Sequence, residues 1–226
     1  MSDELPPPTR RERTLELDRV VNFSDGVFAI AMTLLVLSLH VPLTLDTKYS
    51  GQALDNHLWH EFRDVLPNLF GYALSFAVIS RTWLAHHRAF RVIERIDHTF
   101  INLNLMMLAF VALAPFPTEV FGAYPQSRTA TVVYAASISA VTLAFTALWL
   151  YASNGGRLIV AGTPREFVVH STLRGLSVPI VFLFSIPIAL LFGPMWAQWS
   201  WLLIVPLRIA LGRRYGRITR LAEGLG

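Results

Sequence analysis

Between Gly175 and Leu207 the chain carries no charged side chain. A bilayer's hydrocarbon core is about 30 Å thick and is crossed by about 20 apolar residues. The run is therefore too long for one helix and too apolar for a soluble surface. Gly193-Pro194 is a natural break, and it divides the run into spans over Gly175–Phe192 and Met195–Leu211, with Arg208 able to snorkel near the end. Four more uncharged stretches precede it: Gly26–Leu45, the segment between Asp64 and Arg81, His98–Thr118 and Thr129–Gly156. Hydrophobic residues make up 54% of the 226 and charged residues 15%, against about 25% charge in soluble domains. That balance excludes a soluble enzyme and a disordered chain. The expected fold is all-α, a polytopic membrane protein of six transmembrane helices.

The arginines set its orientation. Of 19 Lys and Arg residues, all but Lys48, Arg63 and Arg128 fall in the N-terminal segment, the second and fourth loops, or the C-terminal end. Basic residues collect on the cytoplasmic side, so both termini are expected there. Trp196, Trp199 and Trp201 then fall at the outer interface as an aromatic belt. The sequence pI of about 9.8 follows from topology, and no nucleic-acid partner is needed. Residues 1–18 read as a disordered cytoplasmic segment, 19–212 as the membrane domain and 213–226 as a short basic tail. Met1–Thr9 is acidic and proline-rich without a cationic start, unlike a cleavable signal peptide. The absence of cysteine removes disulfides, thiolate metal sites and a cysteine nucleophile.

The most informative segment runs from Arg19 through Phe23-Ser24-Asp25 into Gly-Val-Phe-Ala-Ile-Ala-Met-Thr-Leu-Leu-Val-Leu. A carboxylate at a membrane edge is costly unless paired or wet. Arg19 is poorly placed to serve Asp25, because six residues at about 100° each put them some 120° apart around the axis. Either Ser24 or Asp25 caps a helix start, or they join a polar network with the second helix. There Trp83 and His86 share a face, and His86 is an attractive partner for Asp25. Ile30, Thr33, Leu34 and Leu37 recur at helical spacing along one stripe, which spacing leaves open as core, lipid-facing or pore-lining. Gly26 and Ala29 permit close helix approach. The prolines after Leu113 terminate or kink the third helix, and Pro179, Pro187 and Pro206 mark further breaks.

Several chemistries find no support. His57, His60 and Glu61 make no converging ligand set, so no metal site or cofactor is expected. No nucleophile triad or phosphate-binding glycine loop occurs. Gly71-Tyr72 is not preceded by the Thr-Val-Gly of a carbonyl potassium filter.

The Phe23-Ser24-Asp25 motif and the apolar helix after it closely resemble the transmembrane protein 175 family of potassium channels. Trp83-x-x-His86-x-x-x-Phe90 and Asn102 through Leu113-x-Pro-Phe-Pro-Thr extend the likeness over the first three helices. The resemblance implies a cation channel without the usual filter. It also implies the bacterial type, with one six-helix repeat per chain, four copies per channel and the first helices lining a central pore. It would place a hydrophobic constriction at Ile30, further layers at Thr33 or Leu34 and at Leu37, and a structural network on Arg19, Phe23, Ser24, Asp25, Trp83 and His86. Asp46 and Glu119 would be acids of the outer mouth, or simply solvated helix ends. The implied protein is a homotetramer in a bacterial plasma membrane, passing K⁺ modestly better than Na⁺, with the lipid bilayer its only other partner. The alternatives are a proton-coupled secondary transporter using Asp25 and His86, and a non-conducting scaffold or intramembrane enzyme.

Overall fold

The computed structural model describes residues 10–37, 39 and 50–223. They form eight α-helices: α1 (Arg10–Leu37), α2 (Gln52–Phe90), α3 (His98–Leu113), α4 (Pro115–Ala123), α5 (Arg128–Ser153), α6 (Arg165–Phe192), α7 (Pro194–Trp201) and α8 (Ile204–Glu223). Among the described residues, four stretches are helical, long and apolar enough to cross a membrane: 14–37, 98–123, 128–156 and 165–192. The two other expected spans fall on α2 and on the pair α7 and α8.

Boundaries differ from the sequence reading in ways the backbone explains. The first helix begins at Arg10 rather than near Arg19 or Gly26 and ends at Leu37. Ser24 and Asp25 therefore lie in mid-helix and cap nothing. The prolines after Leu113 begin a helix as well as end one. Ala114 is the hinge, and Pro115 takes the first position of α4, where its missing N–H would have had no partner anyway. α6 passes unbroken through Pro179 and Pro187, whereas Pro206 is the third residue of α8 and follows the break between α7 and α8. In α6, Ser177 and Ser185 each stand two residues before a proline. Their hydroxyls donate back to the carbonyls of Arg174 (2.7 Å) and Phe182 (2.6 Å), adding bonds in the turns that proline depletes. α6 stops at Gly193, whose φ of 102° only glycine adopts without strain, and Pro194 opens α7.

α1 packs on α2 and α3, α3 on α5, α5 on α6, and α6 on α7 and α8, while α4 lies against α2. Two glycines set the closeness of two of these contacts. A Cβ on Gly122 of α4 would stand 2.6 Å from Asn68 Oδ1 and 3.0 Å from Asn68 Cα, and one on Gly175 of α6 would stand 2.9 Å from Thr146 Oγ1. Gly26 plays no such part, since its position opens on empty space within the protomer.

The core has two apolar parts. One gathers Phe28, Leu35, Ile79, Phe90, Phe100, Met107 and Trp149, and the other gathers Phe121, Tyr134, Phe182 and Trp201. Trp196 and Trp199 are exposed, but Trp201 turns inward, so it leaves the expected aromatic belt. Its indole N–H donates to Ser185 Oγ at 2.9 Å, giving the buried ring the polar partner it needs.

Candidate functional site: the outward face of α1 and its anchor

α1 has two faces. Ser24, Phe28, Ala31 and Leu35 follow one another at intervals of four, three and four, and all are buried. Every third or fourth residue of an α-helix falls on one side, so these four form the seam that packs into the protomer. Ile30, Leu34 and Leu37 lie on the other side, 61%, 42% and 68% exposed, with Thr33 among them. The Thr33 hydroxyl donates to the Ile30 carbonyl at 2.8 Å. Its proton is thus engaged within the helix, and the oxygen keeps both lone pairs as acceptors.

Three buried side chains on three helices hold the inner face. His86 of α2 donates through Nε2 to Asn104 Oδ1 of α3 at 3.0 Å, since an amide oxygen can only accept. Asn104 donates through Nδ2 to Ser24 Oγ at 3.0 Å. Ser24 donates in turn to the Val20 carbonyl at 2.8 Å. Each of these donors is matched to an acceptor, while His86 Nδ1 is buried without a hydrogen-bond partner. In a low-dielectric interior an unmatched member would cost about 1–3 kcal/mol. His86 is further fixed between two rings, with Phe28 at 5.7 Å and Phe90 at 4.2 Å between centroids.

A second tie lies one residue further along α1. Trp83 donates through Nε1 to Asp25 Oδ1 at 2.8 Å, both side chains being half-buried. Ser80 adds a weaker contact to the Met32 sulfur at 3.3 Å. Asp25 and His86 therefore answer to different partners, and no direct hydrogen bond joins them for a proton to cross. An indole N–H can donate but cannot accept, so Trp83 does not extend Asp25 into a relay.

The structure thus brings Ser24 to His86 through Asn104, and Asp25 to Trp83. It does not bring in Arg19, which is exposed, or Phe23, which is 57% exposed and lies seven residues before Ile30 on the outward face. Glu119 sits exposed on α4. Asp46 lies outside the described residues. His57 pairs with Glu61 at 3.7 Å on the first turns of α2.

Sequence reasoning missed Asn104. The available signal was its composition: an amide inside an otherwise apolar span is expensive unless matched, and Asn104 is one of two such residues in α3. Also missed was a second buried network, in which Tyr134 of α5, Ser75 of α2 and Thr118 of α4 meet at 2.9 and 2.8 Å. The Thr118 hydroxyl donates to the Ala114 carbonyl at 2.8 Å, which also accepts the Thr118 amide at 3.3 Å.

Outside the spans, Asp97 closes the turn between α2 and α3. Its carboxylate accepts from the Phe100 amide at 2.8 Å and from the Tyr151 hydroxyl at 2.7 Å, with Arg157 3.9 Å away. Desolvation pushes this carboxyl up, but Tyr151, the Phe100 amide and Arg157 together hold it below its ordinary range.

Residues 19–115 match the family model described as endosomal/lysosomal potassium channel TMEM175. A potassium channel of Chamaesiphon minutus is 34% identical over 87% of this chain and 94% of its own length. The endosomal/lysosomal proton channel TMEM175 of Homo sapiens is 31% identical over 59% of this chain and 28% of its own. A crystal structure of a lysosomal potassium-selective channel TMEM175 homolog from Chamaesiphon minutus superposes with a TM-score of 0.71 at 30% identity, covering 87% of this chain and 98% of that one.

Proposed function

This chain belongs to the TMEM175 family, and from that premise we propose that it is a potassium-permeable cation channel in which four copies surround a pore lined by the outward face of α1. The observation that carries the reading is the split of α1. Its inner face is consumed by the protomer's own core, while Ile30, Leu34 and Leu37 are left uncovered with Thr33 between them. A ring of Ile30 side chains conducts only when wetted, because methyl groups offer nothing to a dehydrated K⁺, and dewetting at such a ring is a gate. Thr33 hydroxyl oxygens one turn away supply ligands, enough for a modest preference for K⁺ over Na⁺. The anchors at Ser24, Asp25, Trp83, His86 and Asn104 hold the pore helix at fixed depth and rotation.

The same reading takes α2 as the second span and the pair α7 and α8 as the sixth, with both termini on the cytoplasmic side of a bacterial plasma membrane. The segment expectations of 19–212 as channel domain and 213–226 as basic tail go with it. Glu119, and Asp46 beyond the described residues, are proposed as acids of the outer mouth.

The test is passive flux in proteoliposomes of the purified protein, with K⁺, Na⁺ and H⁺ gradients imposed in turn. The expected result is K⁺ flux exceeding Na⁺ flux, with Ile30→Asn raising both by wetting the constriction. Unchanged flux and selectivity in Ile30→Asn would remove Ile30 from the gate. Saturable solute uptake that needs a pH gradient would favour a transporter instead.

A further inference from the structure

Behind α2, on the side away from α1, a cavity of about 110 Å³ opens between α2, α5, α6 and α8. Its composition is unusual for a membrane domain. Arg81 and Arg88 of α2, Arg174 of α6 and Arg208 of α8 all line it, against an apolar wall that includes Phe145 and Val178. Four guanidinium groups of like charge thus share one cavity. Among the described residues, no carboxylate lies within ion-pair distance of Arg81, Arg88 or Arg208. Among the described residues, Arg208 makes a long contact, 3.5 Å, to Ser177 Oγ.

A second observation points to a ligand. Trp149 of α5 lines the same cavity and is 3% exposed, and its indole N–H is buried without a hydrogen-bond partner. Buried donors are matched in native structures, and guanidinium groups gathered without acids call for an anion. Basic pockets between transmembrane helices suit the phosphates of lipid headgroups.

We propose that this cavity binds a phosphate group, held by the guanidinium groups of Arg81, Arg88 and Arg208 with the Trp149 N–H as a further donor. The phosphate belongs to the headgroup of an acidic phospholipid or to free phosphate, and the chemistry of capture is the same. Residues 81, 84, 85 and 88 form the cavity side of α2, while Trp83 and His86 on its other side hold α1. The occupant therefore braces the helix that anchors α1.

Full-length protein in phosphatidylcholine nanodiscs is titrated with phosphatidylglycerol in one arm and with inorganic phosphate in the other, and the thermal unfolding midpoint is read in each. The midpoint is expected to rise saturably. Arg88→Gln and Arg208→Gln should each shift half-saturation by about fivefold, Trp149→Phe should weaken it while keeping the ring, and Arg128→Gln on another face should leave it unchanged. Arg88 is exposed, so its loss should leave folding intact. A response confined to phosphatidylglycerol assigns the site to lipid, and one that includes inorganic phosphate assigns it to a soluble anion. No response in the parent protein, or equal responses in the parent, Arg88→Gln, Arg208→Gln and Trp149→Phe, overturns the proposal.

Discussion

Asn104 Nδ2 lies 3.0 Å from Ser24 Oγ, across 80 residues of sequence, with both side chains shielded from solvent. This bond joins α3 to α1, and through Asn104 Oδ1 it also reaches His86 of α2. One amide thereby fixes three helices against each other.

Asn104→Leu removes both bonds and leaves the Nε2–H of His86 without its acceptor. The expected loss is about 1–3 kcal/mol for that orphaned donor, beyond any cost of fitting a differently shaped side chain. Ser24→Ala should cost less, because it removes an acceptor from Asn104 Nδ2 while leaving the His86–Asn104 bond in place. Thermal unfolding in detergent, monitored by loss of the folded species on size exclusion, ranks the two. Equal tolerance of both substitutions would mean that the network contributes nothing to stability.

Trp83→Phe and Asp25→Ala interrogate the second tie. A hydrogen bond to a charged acceptor contributes about 1.5–3 kcal/mol, so each single change should destabilise and the double change should cost less than their sum. Strict additivity in a double-mutant cycle would show that the bond has no energetic content. In flux, the substitutions should lower the yield of conducting protein rather than alter its ion preference.

The two faces of α1 should respond oppositely to truncation. Phe28→Ala, at a fully buried site, is expected to cost about 3–5 kcal/mol of folding stability. Ile30→Ala should leave the protomer's stability nearly unchanged and alter flux. Comparing thermal midpoints with K⁺ flux for the same two proteins separates packing from permeation.

Asp97 makes a pH prediction. Its folded-state pKa is depressed, so its contribution is fully present above the ordinary carboxylate pKa of about 4 and is lost as pH falls through the lower folded value. Thermal stability should therefore fall on acidification below about pH 4, and Asp97→Asn should flatten that part of the profile. An Asp97→Asn protein with the parent's acid sensitivity would assign the effect to other groups.

Gly122→Ala should force α4 away from α2. The added carbon would meet both the Asn68 side chain and its Cα, and backbone cannot swing aside. Overpacking of this kind costs about 1–3 kcal/mol. Gly26→Ala, with open space at its Cβ, is the matched control for folding stability.

Much of the fold was legible in the chain because bilayer physics acts on composition over long windows. Uncharged runs between charges located α3, α5 and α6 to within a few residues at one end or the other, and Gly193-Pro194 marked a true break. Proline misled inside α6. A helix surrounded by other helices and serine hydroxyls tolerates an absent N–H that would end a solvated one. Trp201 misled as well, since an indole at the expected interface turned inward to reach Ser185.

At the site, periodicity placed Ile30, Thr33, Leu34 and Leu37 on one stripe but was silent on whether that stripe met core, lipid or other copies. Periodicity specifies which residues share a side, and burial depends on where the neighbouring helices sit. The same holds for the anchors. Asp25 and His86 both call for partners, because unmatched polar groups are costly in an apolar medium. Which partner each found depended on helix rotation and depth, set by the packing of α1, α2 and α3. The alternation of charged and apolar segments thus dictated a bundle of membrane helices, being a local property summed along the chain. The pairing of Asp25 with Trp83, and of Ser24 with Asn104 and His86, is a property of three helices at once, and it existed only when they had packed.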